Sequence, residues 1–199
     1  MPLVRRDFTK LAVMALLSSG GPLMTPAQAA PAPVQTLLLT PDGWVPNNPR
    51  LPVLIYPQAI ALQGNDPAAL FEQRFAANGW PPQWRYGVFN YHHYHTQGHE
   101  VLGVSSGQAK LMLGGPNGHV VEVKAGDVLL LPAGTGHCNL GSSDDFLVVG
   151  AYPPGQQGDI NREAPTAAQL ARIASLPFPD IDPVQGAKGA VSQYWTGKA

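Results

Sequence analysis

The stretch from Gly87 to Tyr152 most constrains how this chain can fold. It holds six short runs with strand character: Gly87 to His95, Glu100 to Ser105, Ala109 to Leu113, Val120 to Val123, Val128 to Leu131 and Phe146 to Tyr152. Each break between them carries Gly, Asn or Pro, the residues that turn a chain back on itself. Closely spaced strands of this kind predict an antiparallel sandwich or barrel rather than a βαβ sheet. The fold class expected is therefore all-β, with a few helices at the periphery.

The flanks supply those helices and two further short β-rich runs, Thr36 to Leu39 and Val53 to Tyr56. A helix is expected after Asp66, with Pro67 at its first position, Leu70, Phe71 and Phe75 on one face, and Asn78-Gly79 as its stop. A second should begin at Thr166, which forms a capping box with Gln169 and leads Leu170, Ile173 and Ala174 at helical spacing. Trp80, Pro81, Pro82 and Trp84 cluster before the first run; packing at the edge of the core is their expected role, with lining the mouth of the site as the alternative.

Residues 1–29 read as an address label. Arg5-Arg6-x-Phe8-x-Lys10 precedes a moderately apolar stretch, Leu11 to Met24, and Ala27-Gln28-Ala29 matches a small-residue cleavage site. This pattern resembles a twin-arginine export signal, which implies the twin-arginine translocation machinery as a partner and the periplasm or the exterior as destination. Ser18, Ser19, Gly20, Gly21 and Pro22 break the apolar run well short of the ~20 residues a spanning helix needs.

Residues 30–199 then form a single domain of about 170 residues, enough for one sizeable core. Losing the segment's net +2 takes the formal charge from -1 to -3, so no basic footprint for nucleic acid remains. No later segment is apolar enough to predict stable membrane insertion. Cys138 is the only cysteine, which excludes an intramolecular disulfide even in an oxidising compartment; a small apolar filler on the strand face opposite His137 is its expected role.

The chemistry lies in the histidines. Strand alternation points His93 and His95 to one side, with Phe89 and Tyr91, and turns His92 and Tyr94 to the other. A bend at Thr96-Gln97-Gly98 brings Glu100 back beside the two imidazoles, and the turn Pro132 to Gly136 can deliver His137 to the same pocket. Three neutral imidazoles and a carboxylate suit one divalent transition ion, with two octahedral positions left for water, dioxygen or a chelating substrate. Manganese, iron, nickel, copper and zinc all accept such ligands. His99 is expected at the bend and His119 in an exposed turn, neither as a ligand.

These spacings resemble the cupin superfamily. Gly87-x5-His93-x-His95-x4-Glu100-x6-Gly107 matches the first cupin motif without a gap, and Gly126-x5-Pro132-x-Gly134-x2-His137 matches the second. The second motif normally closes with Asn at the position of Gly141; here Asn139 stands nearby. The motif core spans 87–141. The wider phrases His92-His93-Tyr94-His95, His99 to Gly103 and Asp145 to Pro154 are similar to an uncharacterised family of small single-domain bacterial and fungal cupins, which brings no defined reaction.

The resemblance implies a double-stranded β-helix, or jelly roll, with the metal at its open end, commonly as a homodimer. It makes His93, His95, Glu100 and His137 the metal ligands. Tyr91 and Asn139, which share strand parity with ligands, are expected to hydrogen-bond a substrate or a metal-bound water. The function implied is an exported metal-dependent enzyme acting on a small molecule, an oxygenase of dioxygenase type, a decarboxylase or an isomerase. A periplasmic metal store or small-ligand-binding protein is the alternative. Twin-arginine substrates cross the membrane folded, so an ion could be loaded in the cytoplasm, where manganese or iron need not compete with periplasmic copper or zinc.

Overall fold

The computed structural model describes residues 32–196, so the expected export signal and its cleavage site lie outside the described residues. Nine strands form in the order β1 Gln35–Leu37, β2 Val53–Tyr56, β3 Pro82–Tyr86, β4 Glu100–Ser106, β5 Gln108–Leu113, β6 His119–Lys124, β7 Val128–Leu131, β8 His137–Ser142 and β9 Leu147–Ala151. Helices are α1 Pro67–Ala77, α2 Ala167–Ser175 and α3 Ala190–Tyr194. The pairings are antiparallel throughout, in a six-stranded sheet of order β1-β2-β7-β4-β9-β3 and a three-stranded sheet β6-β5-β8. Among the described residues no helix is long and apolar enough to cross a membrane.

The central strands of the larger sheet are buried on both faces, which is why they read as unbroken apolar runs. Val53 and Ile55 of β2, Leu102 and Val104 of β4, and Leu129 and Leu131 of β7 point between the sheets, where they meet Leu111 and Leu113 of β5. Leu54, Tyr56, Val101, Val128 and Leu130 point the other way, onto Phe71 and Phe75 of α1 and onto Trp80 and Trp195. Phe71 is fully buried, worth about 1.5–3 kcal/mol of transfer free energy. It sits where β4 has Gly103, at which a Cβ would come within 2.3 Å of the Phe71 ring.

Both expected helices form. Pro67 starts α1, while Asp66 makes no side-chain cap and instead binds Arg85 at 2.9 Å. In α2 the capping box is complete, with Thr166 Oγ1 accepting from the Gln169 amide at 3.2 Å and Gln169 Oε1 accepting from the Thr166 amide at 2.8 Å.

One strand is displaced from expectation. The run Gly87 to His95 is not a ladder strand; the strand lies earlier, at β3, paired with β9. Its aromatic and proline cluster therefore divides, with Trp80 in the core and Trp84 half-buried on the strand. Residues 93–95 are nevertheless extended. His93 exchanges both backbone hydrogen bonds with His137 at 3.2 and 2.9 Å, and Tyr94 bonds Asn161 on the opposite side. The alternation of side chains survives because successive residues bond to opposite neighbours.

Register then fixes the site. Glu100, first in β4, pairs with Leu131, last in β7; His137, first in β8, pairs with Leu113, last in β5. Between Leu131 and His137 the chain turns at Gly134, whose φ of +91° and close approach to the Asn47 carbonyl leave no room for a side chain. Glu100 has the parity of Leu102 and Val104, so it enters the space between the sheets at the same end as His137.

Candidate metal centre

At that end His93, His95 and His137 converge, one ring nitrogen of each lying within 4.8 Å of the other two. All three rings are buried, as is Glu100. The orientation of each imidazole is set by its Nδ1. His93 Nδ1 meets the Tyr91 carbonyl at 3.1 Å, His95 Nδ1 the Asp159 carbonyl at 2.6 Å, and His137 Nδ1 the Thr135 carbonyl at 3.0 Å. A carbonyl oxygen only accepts, so each Nδ1 carries the proton. The three Nε2 atoms are left with their lone pairs free. Backbone partners of this kind fix tautomer and ring direction in metal-ligating histidines.

Glu100 lies beside two of these rings. Its Oε2 lies 3.2 Å from His95 Nε2 and 3.3 Å from His137 Nε2, and it has no hydrogen-bond partner despite full burial. Its Oε1 accepts a hydrogen bond from the Tyr152 hydroxyl, which in turn accepts from the Trp84 indole at 3.1 Å. A buried carboxylate oxygen facing imidazole lone pairs is unfavourable without a positive charge between them. A proton or a divalent ion would supply that charge, and the donor set suits the ion.

The local charges agree. Burial, then the neighbouring His137 and His95 rings, push His93 down to about 2, so it stays neutral. Burial opposes the charged form of His95, yet the Glu100 carboxylate and the Asp159 carbonyl raise it above its ordinary value. Burial would lift Glu100, but the His95 and His137 imidazoles hold it well below the usual carboxylate range.

The bend before Glu100 is organised by Asp159, whose Oδ1 accepts from the amides of Thr96 at 2.7 Å and Gln97 at 2.8 Å and whose Oδ2 accepts from the Thr96 hydroxyl at 2.7 Å. One residue thus shapes the turn and, through its carbonyl, aims His95. Gly158 packs directly over Tyr152, where a Cβ would come within 2.4 Å of the hydroxyl oxygen. A cavity of about 420 Å³ opens above the cluster, walled by Trp84, Phe89, Leu102, Tyr152 and Ile160.

The other sequence expectations resolve as follows. Tyr91 and Asn139 do not line this cavity. Tyr91 stacks behind Phe89 with ring centroids 4.9 Å apart, and Arg162 covers its ring at 4.3 Å. Asn139 does share the parity of His137, but its side chain turns along the strand, accepting from the Gly141 amide at 2.8 Å and donating to the Ser142 hydroxyl at 3.2 Å. It thereby bonds within β8 to Gly141, which stands where the motif usually has Asn.

His92 and His99 stand outside the cluster. His99 is fully buried, its Nδ1 accepting from the Ala133 amide at 3.0 Å and its Nε2 donating to the Leu176 carbonyl at 3.2 Å. Burial lowers it to about 4. His119 is exposed, though it begins β6 rather than occupying a turn. Cys138 is buried and burial raises its thiol, as suits a packing role. Tyr152 and Asp159 are the functional residues that sequence reasoning missed. Tyr152 ended an expected strand, within the Asp145 to Pro154 phrase but with no role attached to it, and Asp159 sat in a loop without a motif signal.

Residues 84–149 match the family model described as cupin domain. The chain is 37% identical over 163 residues to the uncharacterised protein YjlB of Bacillus subtilis strain 168, covering 81% of this chain and 96% of that protein. Among solved structures, a DUF861 family protein from Thermotoga maritima aligns at 17% identity and TM-score 0.28, over 45% of this chain and 94% of that one. A Bacillus subtilis oxalate decarboxylase with Mn(II) centres aligns at 20% identity and TM-score 0.31, over 56% of this chain and 28% of that one.

Proposed function

The chain belongs to the cupin superfamily, and from that premise we propose that it is a metal-dependent enzyme acting on a small molecule, with His93, His95, Glu100 and His137 as ligands of one divalent ion. The observation that carries this reading is the shared direction of the imidazoles. Three Nδ1–H groups are spent on backbone carbonyls, so three Nε2 lone pairs are left at one end of the sheets, and those of His95 and His137 face a Glu100 oxygen that has no other partner. An ion bound there would act as a Lewis acid toward a substrate oxygen.

The protein's own residues do the rest. Tyr152 fixes the Glu100 carboxylate in one rotamer by holding Oε1, leaving Oε2 for the centre. Asp159 keeps His95 in its donor tautomer. Trp84, Phe89 and Leu102 shield the ligands from bulk water while one side stays open to a substrate. That open space favours an enzyme over a metal store, because a closed structural site has no need of it. The reaction classes compatible with this arrangement are oxygenation, decarboxylation and isomerisation of a chelating substrate.

The test is turnover by fully metallated protein against hydroxy acids, dicarboxylates and phenols, with oxygen uptake followed. Substrate loss that tracks metal content supports the enzyme; tight ligand binding without turnover in any screen supports the binding protein instead. The proposal extends to export through the twin-arginine pathway and to manganese or iron as the native ion. Arg5-Arg6-x-Phe8-x-Lys10 supports the first and loading before export the second. Fractionation of the full chain, with Arg5 and Arg6 both changed to Lys as control, checks the route. Elemental analysis of the exported protein showing only copper or zinc refutes the metal.

A further inference from the structure

The walls of the cavity say what kind of molecule it takes. Ten large hydrophobic residues are exposed among the described residues, and Tyr86, Phe89 and Ile160 of these, 65%, 38% and 45% exposed, rim this one cavity. Exposed apolar side chains gathered at a concave site mark a binding surface for apolar matter. Trp84 continues the same surface inward. Phe89 is held in place from behind, since Tyr91 stacks on it with an interplanar angle of 13° and the Arg162 guanidinium covers Tyr91 in turn. The platform is thus rigid before any ligand arrives, which lowers the entropic cost of binding.

Charge points the same way. Among the described residues no Lys or Arg lines the cavity, and the one carboxylate in the lining is Glu100, already turned to the imidazoles. Arg162 covers the Tyr91 ring outside the lining, and Arg85, between the lining residues Trp84 and Tyr86, is paired with Asp66 and Glu72. A carboxylate remote from the ion would be partly desolvated here with no cationic partner, which is costly. The remaining polar groups of the lining include the neutral amides of Gln83 and Gln157. A volume of about 420 Å³ exceeds the ~150 Å³ that suffices for benzene, so a ring and a chelating head group fit together.

Resting on the metal-centre reading above, we propose that the site selects an aromatic or similarly planar apolar molecule that chelates the ion through oxygen and carries no second acidic group. Molecules with an anionic group held away from the ion are disfavoured, since no cation stands in the wall among the described residues. Phe89 is the residue that sets this preference, by packing the ring against a preformed aromatic stack.

A matched pair of probes tests this on the metallated protein. Benzohydroxamate and acetohydroxamate share one chelating head and differ by a phenyl ring, and 4-carboxybenzohydroxamate adds a carboxylate remote from that head. Calorimetric titration should show benzohydroxamate at least about tenfold tighter than acetohydroxamate and tighter than 4-carboxybenzohydroxamate. Phe89→Ala should shrink the phenyl advantage, read as the ratio of the benzohydroxamate and acetohydroxamate affinities on protein of measured metal content, to about twofold. Ile160→Lys should strengthen 4-carboxybenzohydroxamate binding selectively. Equal affinity of benzohydroxamate and acetohydroxamate, or 4-carboxybenzohydroxamate binding most tightly, on protein that retains its ion overturns the ligand proposal alone. Protein that takes up no ion overturns the metal reading and this one with it.

Discussion

Replacing Tyr152 by Phe removes one oxygen atom and leaves the ring in place, so it isolates what the hydroxyl does. In the parent protein that hydroxyl donates to Glu100 Oε1 and accepts from the Trp84 indole N–H. A hydrogen bond to a buried carboxylate is worth about 1.5–3 kcal/mol, and a lost neutral acceptor for the half-buried indole adds about 1 kcal/mol. The metal-free variant should therefore be about 2–4 kcal/mol less stable, a fall in Tm of about 4–16 °C at 2–4 °C per kcal/mol for a domain of this size. The freed carboxylate also loses its fixed rotamer. Partners that orient a ligand in this way typically contribute 10–100-fold to metal affinity, and a drop in that range is expected. Competition with a chromogenic chelator reads the affinity and scanning calorimetry in chelator reads the Tm. A variant with parental metal affinity and only the Tm loss would refute the orienting role and leave Tyr152 as packing.

Glu100→Gln should lower stability and metal binding together. The metal-free variant should be less stable than the parent, because the folded protein favours the ionised Glu100 carboxyl beside the His95 and His137 imidazoles, and ion affinity should fall by more than about 100-fold. Asp159→Ala should cost about 2–4 kcal/mol, since four donors on Thr96, Gln97 and Asn161 lose their acceptor, and chemical denaturation reads the loss. The Asp159 carboxyl is held below its ordinary value: burial opposes this, and the Asn161 and Thr96 hydrogen bonds outweigh it. Its stabilising contribution is thus complete above the unfolded pKa of about 4 and is lost as pH falls below it, a slope that Asp159→Asn should flatten. His92→Ala and His99→Ala should both retain the ion by elemental analysis, the second with a Tm loss from its severed bonds to Ala133 and Leu176.

The convergence of His93, His95 and His137 was readable in the sequence because it depends on spacing and parity, both of which survive local irregularity. His93 and His95 stayed on one side although no ladder strand formed, since their backbone still bonds alternately to His137 and Asn161. Caps and turn residues were equally readable: Pro67 and the Thr166–Gln169 box act within a few residues of chain, so no long-range knowledge is needed. The position of β3 was not. Two prolines obscure it, and what makes it a strand is its partner β9, whose Gly150 lies under the Trp84 ring. The roles of Tyr152, Asp159 and His99 were likewise hidden, because each depends on a contact more than thirty residues away in sequence. Asn139 shows the converse limit, in that parity places a side chain on a face but does not say whether a nearer backbone amide will claim it.

The measurement that bears most directly on the account is the metal content of the protein purified without chelator, beside that of His93→Ala. About one divalent transition ion per chain in the parent, lost in a His93→Ala variant that keeps the parental circular dichroism, is the predicted result. No bound ion in the parent after exposure to manganese, iron or zinc, or an unchanged ion content in the variant, would contradict the assignment of this cluster as a metal centre.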